Sequence, residues 1–130
     1  MTSYRTPLGR AKNTGSAKHG VGHFIAQRVS AIALALLGLW ALYSSLGLSR
    51  VGFDGAMTWL HAPFNAILSI LLAVCIAIHM RIGMMEVIED YIHKPSTKAV
   101  LLILNLFVCV LACVAAVFCI LKIALIGAAV

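Results

Sequence analysis

The sequence predicts an all-α protein: a bundle of three transmembrane helices, with the N-terminus cytoplasmic and the C-terminus periplasmic. Three observations lead there. Hydrophobic residues make up 62% of the 130-residue chain and charged residues only 11%. The mean hydropathy is +1.03, far above a soluble domain. Several long apolar runs are separated by short polar connections; the continuous apolar part of the second, Ala66 to Ile78, is shorter than a full span, so that span is expected to carry His79 and Arg81 within or close to the hydrocarbon.

Charge sets the orientation. Arg5, Arg10, Lys12, Lys18 and Arg28 lie in the first 28 residues, with no Asp or Glu among them. The first loop carries Arg50, the second Lys94 and Lys98, and the C-terminal end only Lys122. Basic residues accumulate on the cytoplasmic side. The N-terminus and second loop are therefore expected inside, and the first loop and C-terminus outside. The same rule explains the net charge of +6 with no nucleic-acid partner. Cys75, Cys109, Cys113 and Cys119 lie within apolar runs without Cys-x-x-Cys spacing, so no disulfide and no thiolate metal site is expected.

Along the chain, residues 1–22 read as a flexible basic arm, because Pro7, Gly9, Gly15, Gly20 and Gly22 break helices. Residues 23–130 form a single transmembrane domain with helices at about 24–49, 63–92 and 98–127. The first span has an uncharged core from Val29 to Leu48, about 30 Å as a helix, with His23, Gln27 and Arg28 at its start. Trp59 and His61 in the first connection suit a membrane interface. Met57 to Leu60 reads as a short interfacial helix, and Pro63 suits the first turn of the second span. Pro95 is expected to stop that span, with Ser96 or Thr97 capping the third. Asp90–Lys94 and Glu89–His93 have i, i+4 spacing that would support the end of the second span. Asn105 is the polar group inside the third span, suited to one interhelical hydrogen bond.

The second span carries the chemistry. His79, Gly83, Glu86 and Asp90 recur at i, i+4, i+7 and i+11, a stripe about 60° wide on a helix. Ionisable groups within a membrane are expensive and face protein, cofactor or water. On the residues alone, His79 has three readings: an interhelical hydrogen bond, a haem ligand or a proton-transfer group. Gly83 leaves a gap for a flat macrocycle or a close helix. Tyr91 suits an interfacial belt, or a phenol that hydrogen-bonds a quinone carbonyl with Asp90 beside it. Arg81 lies about 200° from His79 on the helical wheel and faces elsewhere.

Leu8-Gly9-Arg10, Gly22-His23-Phe24 with Arg28-Val29-Ser30-Ala31-Ile32, and His79-Met80-Arg81-Ile82-Gly83-Met84 with Val87-Ile88-Glu89-Asp90-Tyr91 together resemble the small hydrophobic membrane anchor (D-type, cytochrome b-containing) subunits of succinate dehydrogenase. The resemblance spans nearly the whole chain, and its most specific part is His-x-x-x-Gly-Met followed by Asp-Tyr. It implies an anchor subunit of succinate:ubiquinone oxidoreductase (complex II), a respiratory-chain and tricarboxylic-acid-cycle complex in the bacterial inner membrane. A flavoprotein, an iron–sulfur subunit and a second cytochrome b anchor would be its partners. The chain would not be catalytic on its own. His79 would be an axial ligand of a haem b shared with the second anchor, with Gly83 packing against the haem. Arg28 would lie near the haem propionates and quinone, and Tyr91 and Asp90 at the ubiquinone site. The arm resembles the mature start of such subunits, which favours a bacterial over a mitochondrial membrane. The alternatives are a haem-free structural anchor or assembly protein and a small proton-conducting transporter using His79, Glu86 and Asp90.

Overall fold

The structure is a computed structural model that describes residues 6–11 and 20–126. It contains five helices: α1 (Pro7–Ala11), α2 (Gly20–Leu48), α3 (Gly52–His61), α4 (Pro63–Tyr91) and α5 (Pro95–Ile126). Among the described residues there is no strand. α2, α4 and α5 are long and apolar enough to cross a membrane. Arg5, Lys12 and Lys18, which carry much of the arm's expected charge, lie outside the described residues.

α4 is the middle helix. It packs against α2 on one side and α5 on the other, while α2 and α5 do not touch each other. α3 lies across one end and meets all three. The buried positions follow this order: Ala66, Ile82 and Ile88 on α4, Leu37 and Ser30 on α2, and Cys109 on α5. Large apolar side chains such as Leu36, Leu39, Phe107, Leu111 and Phe118 remain exposed on the outer helices. Surface of that kind requires lipid or another apolar protein against it.

Helix ends depart from the expected boundaries where local hydrogen bonding overrides the breaker residues. Pro7 and Gly9 do not prevent a helix. Thr6 precedes α1 and its Oγ1 accepts the Gly9 N–H at 3.1 Å, an N-cap bond, while Pro7 takes the first helical position where no N–H is needed. Gly20 and Gly22 lie within α2. A glycine costs a helix about 1 kcal/mol relative to alanine, too little by itself to keep Gly20 and Gly22 out of α2.

The second connection is also corrected. Pro95 does not stop α4, which ends earlier, at Tyr91, but opens α5. The Lys98 N–H donates to the Lys94 carbonyl at 2.9 Å, so Ser96 and Thr97 lie inside the first turn and do not cap it. Because His93 and Lys94 fall outside both helices, the Glu89–His93 and Asp90–Lys94 pairs lose their helical geometry. Instead, Lys98 Nζ donates to the Glu89 carbonyl at 3.2 Å and His93 Nδ1 to the Tyr91 carbonyl at 3.2 Å. Both satisfy carbonyls in the last turn of α4, the end that favours cations.

The first connection is more structured than four interfacial residues would suggest. Gly52 opens α3 with φ 68°, a left-handed conformation open to glycine at little cost. A Cβ on Gly55 would come within 2.5 Å of Val51 Cβ, so this turn admits no larger residue. Trp59 stacks on Trp40 of α2, with ring centroids 5.5 Å apart and an interplanar angle of 27°. The Asn65 amide of α4 donates to the Trp59 carbonyl at 2.9 Å. Trp59 therefore ties α3 to both neighbours.

Asn105 makes the expected interhelical bond: its Nδ2 donates to the Arg81 carbonyl of α4 at 2.9 Å. Its Oδ1 accepts from Cys109 Sγ at 3.4 Å. All four cysteines are free. Asn105→Ala should destabilise the α4–α5 pair by about 0.6 kcal/mol, the mean for such bonds in a membrane. A lower midpoint for unfolding in mixed detergent–SDS micelles checks this; an unchanged midpoint contradicts it.

Candidate functional site

The polar stripe of α4 meets the first turns of α2. His79 is half-buried, with Nδ1 3.1 Å from Ser30 Oγ. Ser30 is only 6% exposed, and its hydroxyl also donates to the Gln27 carbonyl one turn earlier at 3.0 Å. An apolar run thus hides a small hydroxyl where α2 faces the histidine.

Around this contact lies a cavity of about 360 Å³, lined by Phe24, Gln27, Arg28 and Ala31 of α2 and by His79 and Glu86 of α4. The Arg28 guanidinium carbon lies 5.2 Å from the Phe24 ring centroid, within cation–π range. The cavity therefore holds an imidazole, a cation, a carboxylate and an amide between two apolar helices. Gln27 Oε1 is buried without a hydrogen-bond partner. An unsatisfied buried acceptor costs about 1–3 kcal/mol, so it favours a donor in this cavity.

Gly83 has a close helix against it. A Cβ there would stand 3.4 Å from Gln27 Nε2. The Gln27 amide of α2 is the group nearest that gap. A Cβ there makes an ordinary contact with the end of the flexible Gln27 side chain.

His23 and Arg81 share the opposite flank of the α2–α4 pair. They line a separate groove of about 480 Å³ with Gly22, Ala26, Ile78 and Met85 among its walls. Arg81 thus faces away from His79, as its wheel position predicts. His23 is separated from the cavity that Arg28 lines.

Tyr91 is the last residue of α4 and is 76% exposed. It lines a third space of about 420 Å³, between α4 and α5, whose walls include Met84, Val87, Leu104 and Val108. That groove is nearly all apolar and suits a flat, greasy ligand whose polar atom reaches the phenol. Asp90 is exposed and lines neither this groove nor the His79 cavity. The expected stripe therefore resolves into two places. His79 and Glu86 face α2, whereas Tyr91 opens on the α5 side. His79, Glu86 and Asp90 do not line one common cavity, as a simple proton relay would require.

Ser30 and the side-chain role of Gln27 were not singled out as site features by sequence reasoning. The sequence signal was a hydroxyl near the start of an apolar run, three residues after a glutamine. Its partner lies 49 positions away, beyond the reach of helical spacing.

Comparison with known proteins agrees with this architecture. The profile of the succinate dehydrogenase/fumarate reductase transmembrane subunit family matches residues 2–119. A succinate dehydrogenase hydrophobic membrane anchor subunit of Rickettsia conorii is 35% identical over 113 residues, covering 86% of this chain and 90% of the relative. The protein of the same description from Rickettsia bellii is 37% identical over 100 residues, covering 77% and 80%. That from Paracoccus denitrificans is 29% identical over 107 residues, covering 80% and 81%. With three helices able to cross a membrane and a profile match over nearly its whole length, the chain belongs to the succinate dehydrogenase/fumarate reductase transmembrane subunit family.

Proposed function

We propose that this chain is a membrane anchor subunit of succinate:ubiquinone oxidoreductase that supplies one axial ligand to a haem b and part of a ubiquinone site. The observation that carries this reading is the shared cavity of His79 and Arg28. A neutral imidazole suits haem iron within a membrane, and a guanidinium suits the propionates at the haem edge. The donor set therefore fits half of a haem site. Among the described residues His79 is the one histidine lining this cavity, and a second ligand would come from a second cytochrome b anchor. A bound haem would supply a one-electron carrier beside the quinone.

The residues of this chain divide the work. His79 would present a ring nitrogen to the iron, and Gly83, which has no side chain, would let the haem pack against α4. Arg28 holds negative charge at the outer edge of the cavity. Tyr91 donates its hydroxyl to a quinone carbonyl, and Asp90 tunes that phenol from the adjacent position. Adjacent helical residues point about 100° apart, so Asp90 acts beside the quinone without facing the same spot. The iron–sulfur subunit docks at the Tyr91 end of α4, on the cytoplasmic side that the positive charge bias favours, with the spans in a bacterial inner membrane. The chain is not catalytic alone.

One observation favours a second reading. The His79–Ser30 contact is also what a haem-free structural anchor would use to join α2 and α4. The two readings separate spectroscopically. In the purified complex, His79→Ala should abolish the reduced-minus-oxidised b-type signal; an unchanged signal would remove His79 as a ligand. Tyr91→Phe should lower ubiquinone reduction by about 10²-fold, the scale of a lost proton donor, while succinate oxidation by an artificial acceptor persists. Unimpaired quinone turnover would exclude an essential phenol.

A further inference from the structure

Two hydrogen bonds at one hydroxyl restrict the state of His79. Ser30 Oγ is 3.0 Å from the Gln27 carbonyl and 3.1 Å from His79 Nδ1. A carbonyl only accepts, and a hydroxyl carries one proton. Both contacts are satisfied together in one arrangement: Ser30 donates to the Gln27 carbonyl, and His79 Nδ1–H donates to Ser30 Oγ. The proton of a neutral imidazole is then on Nδ1, and Nε2 keeps its lone pair.

We infer that Ser30 is the positioning residue for His79, holding the imidazole as the Nδ1–H tautomer and presenting Nε2 as the metal-binding atom. The inference rests on the haem reading above, but it concerns a residue of α2 and the electronic state of the ligand. Its physical basis is general: the second nitrogen of a metal-bound histidine is fixed by the group that accepts its proton. Burial strengthens the case. At 6% exposure water has little access to replace the serine, so loss of the hydroxyl leaves Nδ1–H without that acceptor. The i−3 bond to Gln27 also holds the hydroxyl itself, which would otherwise rotate. The second face of α2 thus organises the ligand that α4 carries.

An acceptor on Nδ1–H makes the imidazole a stronger electron donor, which favours ferric over ferrous iron. Ser30→Ala should therefore shift the haem midpoint potential upward and alter the g-anisotropy of its low-spin electron paramagnetic resonance signal. Ser30→Thr, which keeps the hydroxyl, should restore both. These measurements use the intact complex, purified with its other subunits from native membranes. If Ser30→Ala does not assemble, Ser30→Cys takes its place. It keeps the volume with a weaker acceptor and should shift the potential in the same direction. A parental potential and parental g-values in whichever of these two variants assembles would overturn the role of Ser30. His79→Ala is run in parallel. Loss of the b-type signal there, with a parental Ser30 variant, defeats this inference alone. A b-type signal that survives His79→Ala defeats the haem reading beneath it.

Discussion

A helix that carries a histidine, an arginine and three acids (Glu86, Glu89 and Asp90) into or near a hydrocarbon layer must keep those groups from lipid, and that constraint orders the rest of this chain. An ionisable group at the centre of a bilayer costs about 2.5–3.5 kcal/mol on insertion scales, enough to make the placement of each one structurally decisive. Lying between two other spans, α4 half-buries His79 and leaves Arg81 and Glu86 exposed on its flanks, where a further protein surface has to cover them. His79 and Glu86 turn toward α2, Arg81 toward the opposite flank of the same helix pair, and the charged terminal turn projects beyond the apolar run. The Arg81 carbonyl accepts from Asn105 of α5, so both outer spans are bonded to the polar half of the middle one.

Because α2 and α5 do not meet, the three spans form an open layer with α4 at its centre. Openness has a functional use. The His79 cavity and the Tyr91 groove lie on different sides of α4 and open outward, so a second protein can complete either one. An anchor that supplies half of a cofactor site needs this arrangement; a self-sufficient bundle would bury the same face against itself. The exposed leucines and phenylalanines on the outer helices leave ample apolar surface for lipid and for a partner. The distance along α4 from His79 to Tyr91 is twelve residues, about 18 Å of helix rise, which separates the two proposed sites while keeping them on one helix.

Much of this was legible in the sequence because helical periodicity is local. Three spans, Pro63 in the first turn of α4, the direction of Arg81 and the bonding of Asn105 all follow from spacing on a single helix. The short helix α1 did not, because the Thr6 cap outweighs the breaker character of Pro7 and Gly9. Pro95 was assigned to the wrong side of its loop: proline is compatible both with following a helix and with beginning one, and the ambiguity is settled by where Tyr91 ends α4. The site was half legible. His79, Glu86 and Tyr91 announced themselves as polar groups in a greasy run, but Ser30 and Gln27 acquire meaning only when α2 is laid against α4. That pairing is tertiary and no periodicity encodes it.

The most direct test of the account is a high-resolution electron cryomicroscopy map of the intact complex from its native membrane. The account predicts tetrapyrrole density bonded to the His79 nitrogen that faces away from Ser30, with Arg28 at the propionate edge and Ser30 still within hydrogen-bond distance of the ring. A map in which the iron takes both axial ligands from elsewhere, leaving His79 bonded only to protein, would contradict it.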